Sequence, residues 1–189
     1  MKGDYYKTKE SVKEYIQLAK DVNGKKLIEK LHQVLPDRSS LLELGSGPGT
    51  DWRLLNDLYQ VIGSDNSSEF LNHLKTNNPQ GEFLELDAIT LETDKTFEGI
   101  YSNKVLIHLR DEELKASIKR QAQILRPDGI ICHSFWKGEG SEFFKGLFVN
   151  YQDEKHLKEL FETAFEILSI ESYAEFESDD SLLFLGRKK

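Results

Sequence analysis

The sequence predicts an α/β fold in which a mostly parallel β-sheet is covered by helices on both faces. From about residue 41 onward, short apolar runs alternate with amphipathic helix-like segments, which is the pattern of consecutive βαβ units. The apolar run at 41–44 leads into three glycines at alternate positions, Gly45, Gly47 and Gly49, and Thr50 then offers a helix cap. Two further strand-like runs close the chain and predict an antiparallel last strand.

The chain is predicted to form a single domain over residues 1–189, with an N-terminal helical cover (1–36) and an α/β core (37–189). The cover contains two amphipathic stretches separated by Asn23-Gly24. Residues 137–150 have no regular pattern and are predicted to be one long irregular connection. Helix-like segments of the core begin at Thr50, near Ser67, at Asp111 and at residue 153, and its strand-like runs are 41–44, 59–63, 82–86, 97–101, 130–136, 165–173 and 181–185.

Composition narrows the classes of partner. With 25 basic and 33 acidic residues the formal net charge is −8, so the chain lacks the positive charge that draws proteins to nucleic acid or anionic membranes. The lone cysteine, Cys132, excludes a disulfide framework within the chain. The N-terminal residues have no apolar signal segment, and no apolar run reaches membrane-spanning length. We therefore expect a soluble, cytoplasmic protein whose partner is a small molecule.

The glycine-rich segment indicates a ligand site, because residues without Cβ let a ligand approach the backbone amides at the start of a helix. Glu43 precedes the first glycine by two positions, and its carboxylate would repel a pyrophosphate at this loop. The dinucleotide-binding pattern also requires a third small residue where this chain has Thr50. A phosphate-bearing ligand is therefore disfavoured, and the remaining alternative is a turn that merely needs glycine.

Polar residues stand directly after four successive apolar runs: Gly45, Asp65, Asp87 and Ser102. Because ligands of open parallel sheets bind at the carboxyl ends of the strands, these residues should share one crevice. Asp65 is suited to accept hydrogen bonds from two ribose hydroxyls. Asp87 is suited to accept from an adenine amino group, and the Ala88 amide to donate to the ring. The alternative for each aspartate is a helix or turn cap.

The pattern Glu43-x-Gly45-x-Gly47-x-Gly49 resembles the first motif of class I S-adenosylmethionine-dependent methyltransferases. The resemblance covers about residues 41–187 and implies a Rossmann-like, seven-stranded sheet with S-adenosylmethionine bound across the first four strand ends. Four more stretches carry it, namely 61–67 (the acidic second motif), 86–88 (the third), 101–109 (after the fourth strand in small-molecule members) and 124–129 (the turn before the fifth strand).

The resemblance implies methyl transfer to a small-molecule nucleophile by in-line displacement. No Asn-Pro-Pro-Tyr sequence is present, so methylation of nucleic-acid amino groups is not supported, and without a second cysteine or an acidic metal cluster neither is a thiol relay or metal assistance. The alternatives are an NAD-linked oxidoreductase, which Glu43 and Thr50 disfavour, and an inactive methyltransferase-like binding domain. The expected cofactor-binding residues are Glu43, Gly45, Gly47, Gly49, Asp65, Asn66, Asp87, Ala88 and Ser102.

Catalysis of this kind needs few side chains, because alignment and exclusion of water do most of the work. His108 follows an apolar stretch after Ser102, and its imidazole is suited to take a proton from the nucleophile. The alternative is a histidine that caps the helix beginning near Asp111. The expected substrate pocket combines Tyr5 and Tyr6 of the N-terminal segment with Trp136 and Tyr151 after the fifth strand, although these rings equally suit a core. No metal site is expected.

Overall fold

The computed structural model of the chain describes residue 6, residues 8–19 and residues 22–189. Its helices are α1 (Lys9–Leu18), α2 (Lys25–His32), α3 (Thr50–Asn56), α4 (Ser68–Asn77), α5 (Asp111–Ile124) and α6 (Glu154–Phe161), with a 3₁₀ turn at Leu106–His108. Its strands are β1 (Ser40–Leu44), β2 (Gln60–Asp65), β3 (Glu82–Glu85), β4 (Phe97–Asn103), β5 (Leu125–Trp136), β6 (Ser141–Phe144), β7 (Leu147–Asn150), β8 (Phe165–Tyr173) and β9 (Ser181–Lys188).

Seven strands form one sheet in the order β3-β2-β1-β4-β5-β9-β8. Strand β9 is antiparallel to both of its neighbours, and the other six strands run in one direction. This confirms the predicted fold class. After β3 the chain crosses to the opposite side of β1 and forms β4. The connection after β1 therefore leads to one side of the sheet, toward β2, and the connection after β4 leads to the other side, toward β5. The carboxyl ends of β1 and β4 therefore border the switch-point crevice where such sheets bind ligands.

Each face of the sheet has its own apolar core. One face packs against α2, α3 and α4 through buried side chains such as Leu31, Leu55 and Leu74. The other packs against α5 and α6 through side chains such as Leu114 and Phe161. Helices on both faces explain why the central strands are almost continuously apolar. In the described part of the chain, no helix is both long enough and apolar enough to span a bilayer.

Residues 137–150 differ from the prediction of an irregular connection. They contain an antiparallel hairpin of β6 and β7, in which Phe143 pairs with Phe148 and the turn is formed by Lys145 and Gly146. Both turn residues have positive φ, +48° and +79°, as expected for a two-residue hairpin. The sequence hides this hairpin because every residue of β6 is exposed, so no alternation of buried and exposed side chains marks the strand.

Candidate active site

The glycine loop joins β1 to α3. Gly49 is the N-cap of α3, with φ +78° and no side-chain cap, so the prediction that Thr50 caps the helix is wrong and Thr50 is instead its first residue. The left-handed backbone at this position requires glycine. At Gly47, also with positive φ, an added Cβ would find no atom nearer than 3.9 Å and would lie 4.0 Å from the ring of Tyr15. The Tyr15 ring therefore borders the loop at van der Waals distance without crowding it.

Glu43 lies beneath the loop with only 2% of its surface exposed. The hydroxyl of Ser46 donates a hydrogen bond to its carboxyl group and accepts one from the Ser64 amide. Burial raises the pKa of Glu43 to about 8, the nearby carboxyl groups of Asp51 and Asp65 add to this, and the bond from Ser46 opposes it. The protonated form of Glu43 is consequently favoured at neutral pH, so the negative charge that was predicted to repel a pyrophosphate is largely neutralised in the fold.

Asp65 ends β2 and holds the glycine loop. Its two carboxyl oxygens accept hydrogen bonds from the amides of Gly47 (3.0 Å) and Ser67 (2.9 Å). Burial raises the pKa of Asp65, and these amide bonds oppose the rise. Asn66 follows with its surface exposed. Since a carboxylate has about four acceptor sites, Asp65 keeps capacity for further donors while it fixes the loop.

The carboxyl ends of β3 and β4 lie at the same edge of the sheet as the glycine loop. Asp87 follows β3, is half-buried, and accepts a hydrogen bond from the Ile89 amide at 2.7 Å. The carbonyl of Ala88 accepts a 2.6 Å bond from the hydroxyl of Ser117 on α5. Ser102 of β4 is fully buried, and its hydroxyl bonds to Nδ1 of His133 at 2.8 Å. The Ser102 hydroxyl is thus committed to the interior of the sheet.

Asp51, in the first turn of α3, is a site residue that the sequence analysis missed. Its carboxylate accepts from the Gly24 amide (2.6 Å), the Tyr101 hydroxyl (2.7 Å) and the Asn103 amide group (3.1 Å). It joins the start of α2, the glycine-loop helix and the end of β4. Its partners are far away in sequence, so the sequence shows only an acidic residue in the first turn of a helix. Acidic residues are common at that position, and this signal does not single out Asp51 as a site residue.

His108 closes the 3₁₀ turn after β4. Its Nδ1 lies 2.8 Å from the carbonyl of Phe148, and because a carbonyl only accepts, Nδ1 carries the proton and Nε2 keeps its lone pair. Burial lowers the pKa of His108, and the bond to Phe148 opposes this. The helix-cap alternative is not what the structure contains: Arg110 is the N-cap of α5, and its amide donates to the carboxylate of Glu113 at 2.9 Å.

Aromatic rings of the N-terminal segment lie over the glycine loop. The Tyr6 ring is 5.2 Å from that of Tyr15, 5.7 Å from that of Phe70 on α4 and 6.4 Å from the imidazole of His108. The predicted pocket residue Tyr5 lies outside the described residues. Of the expected pocket tyrosines, Tyr6 is therefore the one that the structure brings next to His108.

Trp136 and Tyr151 have different surroundings. Trp136 ends β5, and the ammonium of Lys104 lies 4.1 Å from its ring centre. Tyr151 donates a 2.6 Å hydrogen bond to Glu142 of the β6–β7 hairpin. A cleft of about 570 Å³ opens at the amino ends of the strands, next to Ser40, but this edge is opposite the glycine loop and is not where parallel sheets bind ligands.

A family model described as a methyltransferase domain matches residues 41–129. An uncharacterized methyltransferase from Oceanobacillus iheyensis is 29% identical over 123 residues, which are 59% of this chain and 56% of that protein. Trans-aconitate 2-methyltransferase from Variovorax paradoxus is 32% identical over 102 residues, 52% of this chain and 39% of that protein. The chain thus spans about half the length of these curated relatives, or less.

The fold is similar to that of 1,6-didemethyltoxoflavin-N1-methyltransferase from Burkholderia thailandensis, with a TM-score of 0.80 and 19% identity over 95% of this chain and 84% of that chain. At 19% identity this similarity establishes a shared fold and no shared substrate. The family model begins in β1 and runs through the glycine loop and Asp65 to the bulge at the start of β5. On these grounds residues 41–129 are similar to the methyltransferase domain family, and the comparisons support the predicted resemblance of the chain to class I S-adenosylmethionine-dependent methyltransferases.

Proposed function

We propose that this protein is an enzyme that transfers a methyl group from S-adenosylmethionine to a small-molecule nucleophile. The observation that carries the proposal is the glycine loop, which the methyltransferase family model covers and which the Gly47 amide ties to Asp65 at the next strand end. In a parallel sheet with its switch point at β1 and β4, this is the position of the ligand crevice.

The residues around the loop fit this cofactor. At Gly47 an added Cβ would make only van der Waals contacts, at 3.9 Å or more, so the loop is not crowded there. The Asp65 carboxylate beside the loop favours a ligand that carries a sulfonium and an ammonium over one that carries phosphate. The ring of Tyr15 offers an aromatic surface of the kind that attracts such a cation.

Each strand end has a role in this proposal. The ribose hydroxyls donate to Asp65, the adenine amino group donates to Asp87, and the Ala88 amide donates to the adenine ring. Asn66 borders the ribose, while Gly45, Gly47 and Gly49 shape the loop around the methionine part. Ser102 takes part only through its backbone, because its hydroxyl is bonded to His133.

When bound, S-adenosylmethionine supplies a methyl group on a sulfonium, which an incoming lone pair attacks in line. The imidazole of His108 is held by the Phe148 carbonyl with Nε2 unprotonated, so Nε2 takes the proton that an oxygen, nitrogen or sulfur nucleophile releases. Burial lowers the pKa of His108, which keeps it neutral and ready to accept a proton at physiological pH. The Tyr6 ring beside it excludes water from this side of the site.

A small-molecule acceptor has two lines of support. One relative is named as a methyltransferase of trans-aconitate, and the protein of similar fold as one of 1,6-didemethyltoxoflavin, both small molecules. The net charge of −8 gives the chain no general attraction to nucleic acid or to an anionic membrane surface. We accordingly expect a cytoplasmic enzyme whose partner is a metabolite-sized molecule.

The experiment is turnover of S-adenosylmethionine labelled in its methyl group against a fractionated metabolite extract. We expect label in a small molecule that elutes separately from protein, and much less of it with His108→Ala. Cofactor binding without any transfer of label, across extracts from several growth conditions, would instead make the chain an inactive binding domain.

A further inference from the structure

Lys104 is an unusual residue at the carboxyl end of β4. It directly follows the strand and has a left-handed backbone, φ +55°, which is uncommon for a residue with a side chain. Its ammonium is nearly buried, with 12% of the side chain exposed. It lies 4.1 Å from the ring centre of Trp136 and 5.0 Å from that of Tyr173. The two aromatic rings therefore hold the ammonium in a fixed position.

The partner of this ammonium is a carboxylate from the β8–β9 hairpin. Glu175 lies 2.8 Å from Nζ and is itself only 13% exposed, and the hydroxyls of Tyr173 and Ser181 lie at 3.0 and 2.9 Å. Burial lowers the pKa of Lys104, and the charge of Glu175 opposes this. Buried ion pairs contribute little net stability compared with apolar packing, so this pair is not explained by stability alone.

The hairpin does not depend on the Glu175 side chain. Its turn is fixed by Asp180, whose carboxylate accepts from the amides of Glu175 (2.8 Å), Phe176 (2.9 Å) and Glu177 (2.9 Å). The side chain of Glu175 can therefore leave Lys104 by rotation while the turn stays intact. A carboxylate from a ligand would then accept the same hydrogen bonds, so no donor around Lys104 would lose its partner.

The two neighbours of Lys104 in sequence contact the glycine loop and its helix. Its neighbour Asn103 donates to Asp51 of the glycine-loop helix at 3.1 Å, and its other neighbour, Val105, packs against Gly45 so closely that a Cβ there would lie 2.5 Å from it. Lys104 is thus adjacent in sequence, on both sides, to a residue that contacts the glycine loop or the helix that follows it.

A cleft of about 440 Å³ borders two residues that contact the Lys104 ammonium, Tyr173 and Glu175. Asn103 and Phe176 also line it on this side, and residues at the start of α2 line the other. The charged residues of its described lining are Lys25, Lys26, Glu29 and Glu175, two of each sign. Phe176 is 68% exposed and lies 5.9 Å from the Trp136 ring, which provides an apolar surface beside the cation.

We propose that Lys104 binds the carboxylate of an acceptor that has an apolar or aromatic body, and that Glu175 occupies this position until the acceptor displaces it. This proposal rests on the proposed methyltransferase function and specifies the acceptor class of the same site. Glu175 is then an internal competitor, so its removal strengthens ligand binding. A purely structural ion pair would give no such gain.

The test is calorimetric titration with benzoate, with benzamide as the uncharged counterpart and sulfate as a small anion without an apolar body. Each titration is done with S-adenosylhomocysteine already bound, and binding of that nucleoside is measured first. We expect Glu175→Gln to bind benzoate about 10- to 100-fold more tightly than the wild type, the range that one charge-assisted hydrogen bond supports. The matched control, Asp179→Asn, removes an ion pair between the turn of the hairpin and Lys137, and should leave benzoate affinity unchanged.

Adding Lys104→Met to Glu175→Gln should remove the gain, and this double variant leaves no unpaired buried charge that might prevent folding. Equal benzoate affinity in the two variants would overturn the proposal, as would tight binding of benzamide or sulfate by Glu175→Gln. Failure of the wild type to bind S-adenosylhomocysteine would contradict the proposed function itself. Retained nucleoside binding with no benzoate response in Glu175→Gln would overturn the carboxylate subsite alone.

Discussion

Asp65 has two tasks in this account, since it fixes the glycine loop through Gly47 and accepts the ribose hydroxyls of the cofactor. We predict that Asp65→Ala weakens S-adenosylhomocysteine binding by about 2–4 kcal/mol, because two charge-assisted hydrogen bonds are lost. Asp87→Asn should cost less, since an amide oxygen still accepts. Calorimetry measures both changes.

The exposed Asp57 provides the control for these variants. Asp57→Ala removes a carboxylate at the far end of α3, the helix that follows the glycine loop, without touching the loop itself. Thermal unfolding establishes that Asp65→Ala is folded before its affinity is compared. A folded Asp65→Ala with wild-type affinity would disprove the ribose assignment.

Glu43 provides a prediction that needs no ligand. Its pKa of about 8 in the folded chain lies above the ordinary value of 4.5, so between these values the folded state holds a proton that the unfolded state has lost. The free energy of unfolding should therefore fall as pH rises through this window, by about 1.4 kcal/mol per pH unit from this group. Glu43→Gln should remove that part of the slope.

Urea denaturation of the wild type and Glu43→Gln at pH 5, 6, 7 and 8 measures the two slopes. If the free energy of unfolding changes with pH equally in the wild type and in Glu43→Gln, Glu43 is ionised in the folded protein over this range. That result would contradict a protonated carboxyl group beneath the loop.

His108 is the proposed general base. We predict that His108→Ala lowers turnover by about 10²- to 10⁴-fold and leaves cofactor affinity unchanged, because the imidazole acts on the acceptor. Burial lowers its pKa from 6.5, so the acid limb of the wild-type pH–rate profile should lie below pH 6.5 and be absent in the variant. His73 on α4, which is half-buried and bonded to Asn77, supplies the control variant His73→Ala. Full turnover with an unchanged acid limb would leave His108 a structural residue.

At the scale of elements, the strands that form the sheet are predictable because both faces are buried and their apolar runs are unbroken. The β6–β7 hairpin is not, since its exposed strand carries no burial pattern. The same distinction applies to the site. Asp65 can be inferred from its place after an apolar run, whereas the role of Asp51 depends on contacts with Gly24, Tyr101 and Asn103 that only the folded chain creates.

Asp51 therefore supports a prediction about elements. Asp51→Ala leaves the Tyr101 hydroxyl and the Gly24 amide without their buried acceptor, and we expect the free energy of unfolding to fall by about 2–4 kcal/mol. Hydrogen exchange should accelerate at the start of α2 more than in α6, on the other face of the sheet. Asp94→Ala, at an exposed aspartate, serves as the control. A uniform acceleration in both helices would show that Asp51 does not specifically anchor α2.

At the scale of the whole molecule, the sheet order places four strand ends at one edge, and the glycine loop, Asp65 and Asp87 meet there. The seven-stranded, mostly parallel sheet was predictable from the alternation of strand and helix together with the resemblance of the motifs to a known family, whereas no order of its strands was predicted. The acceptor does not follow from the sequence, because the residues around Lys104 come from β4, β5 and the β8–β9 hairpin. Their proximity is a consequence of the fold alone.

The most direct measurement of the central claim is calorimetric titration of the wild-type protein with S-adenosylmethionine, S-adenosylhomocysteine and NAD. The Asp65 carboxylate at the loop favours the sulfonium-bearing ligand and disfavours a pyrophosphate. We predict that S-adenosylmethionine and S-adenosylhomocysteine each bind and that NAD does not. Measurable NAD affinity, with none for S-adenosylmethionine, would contradict it.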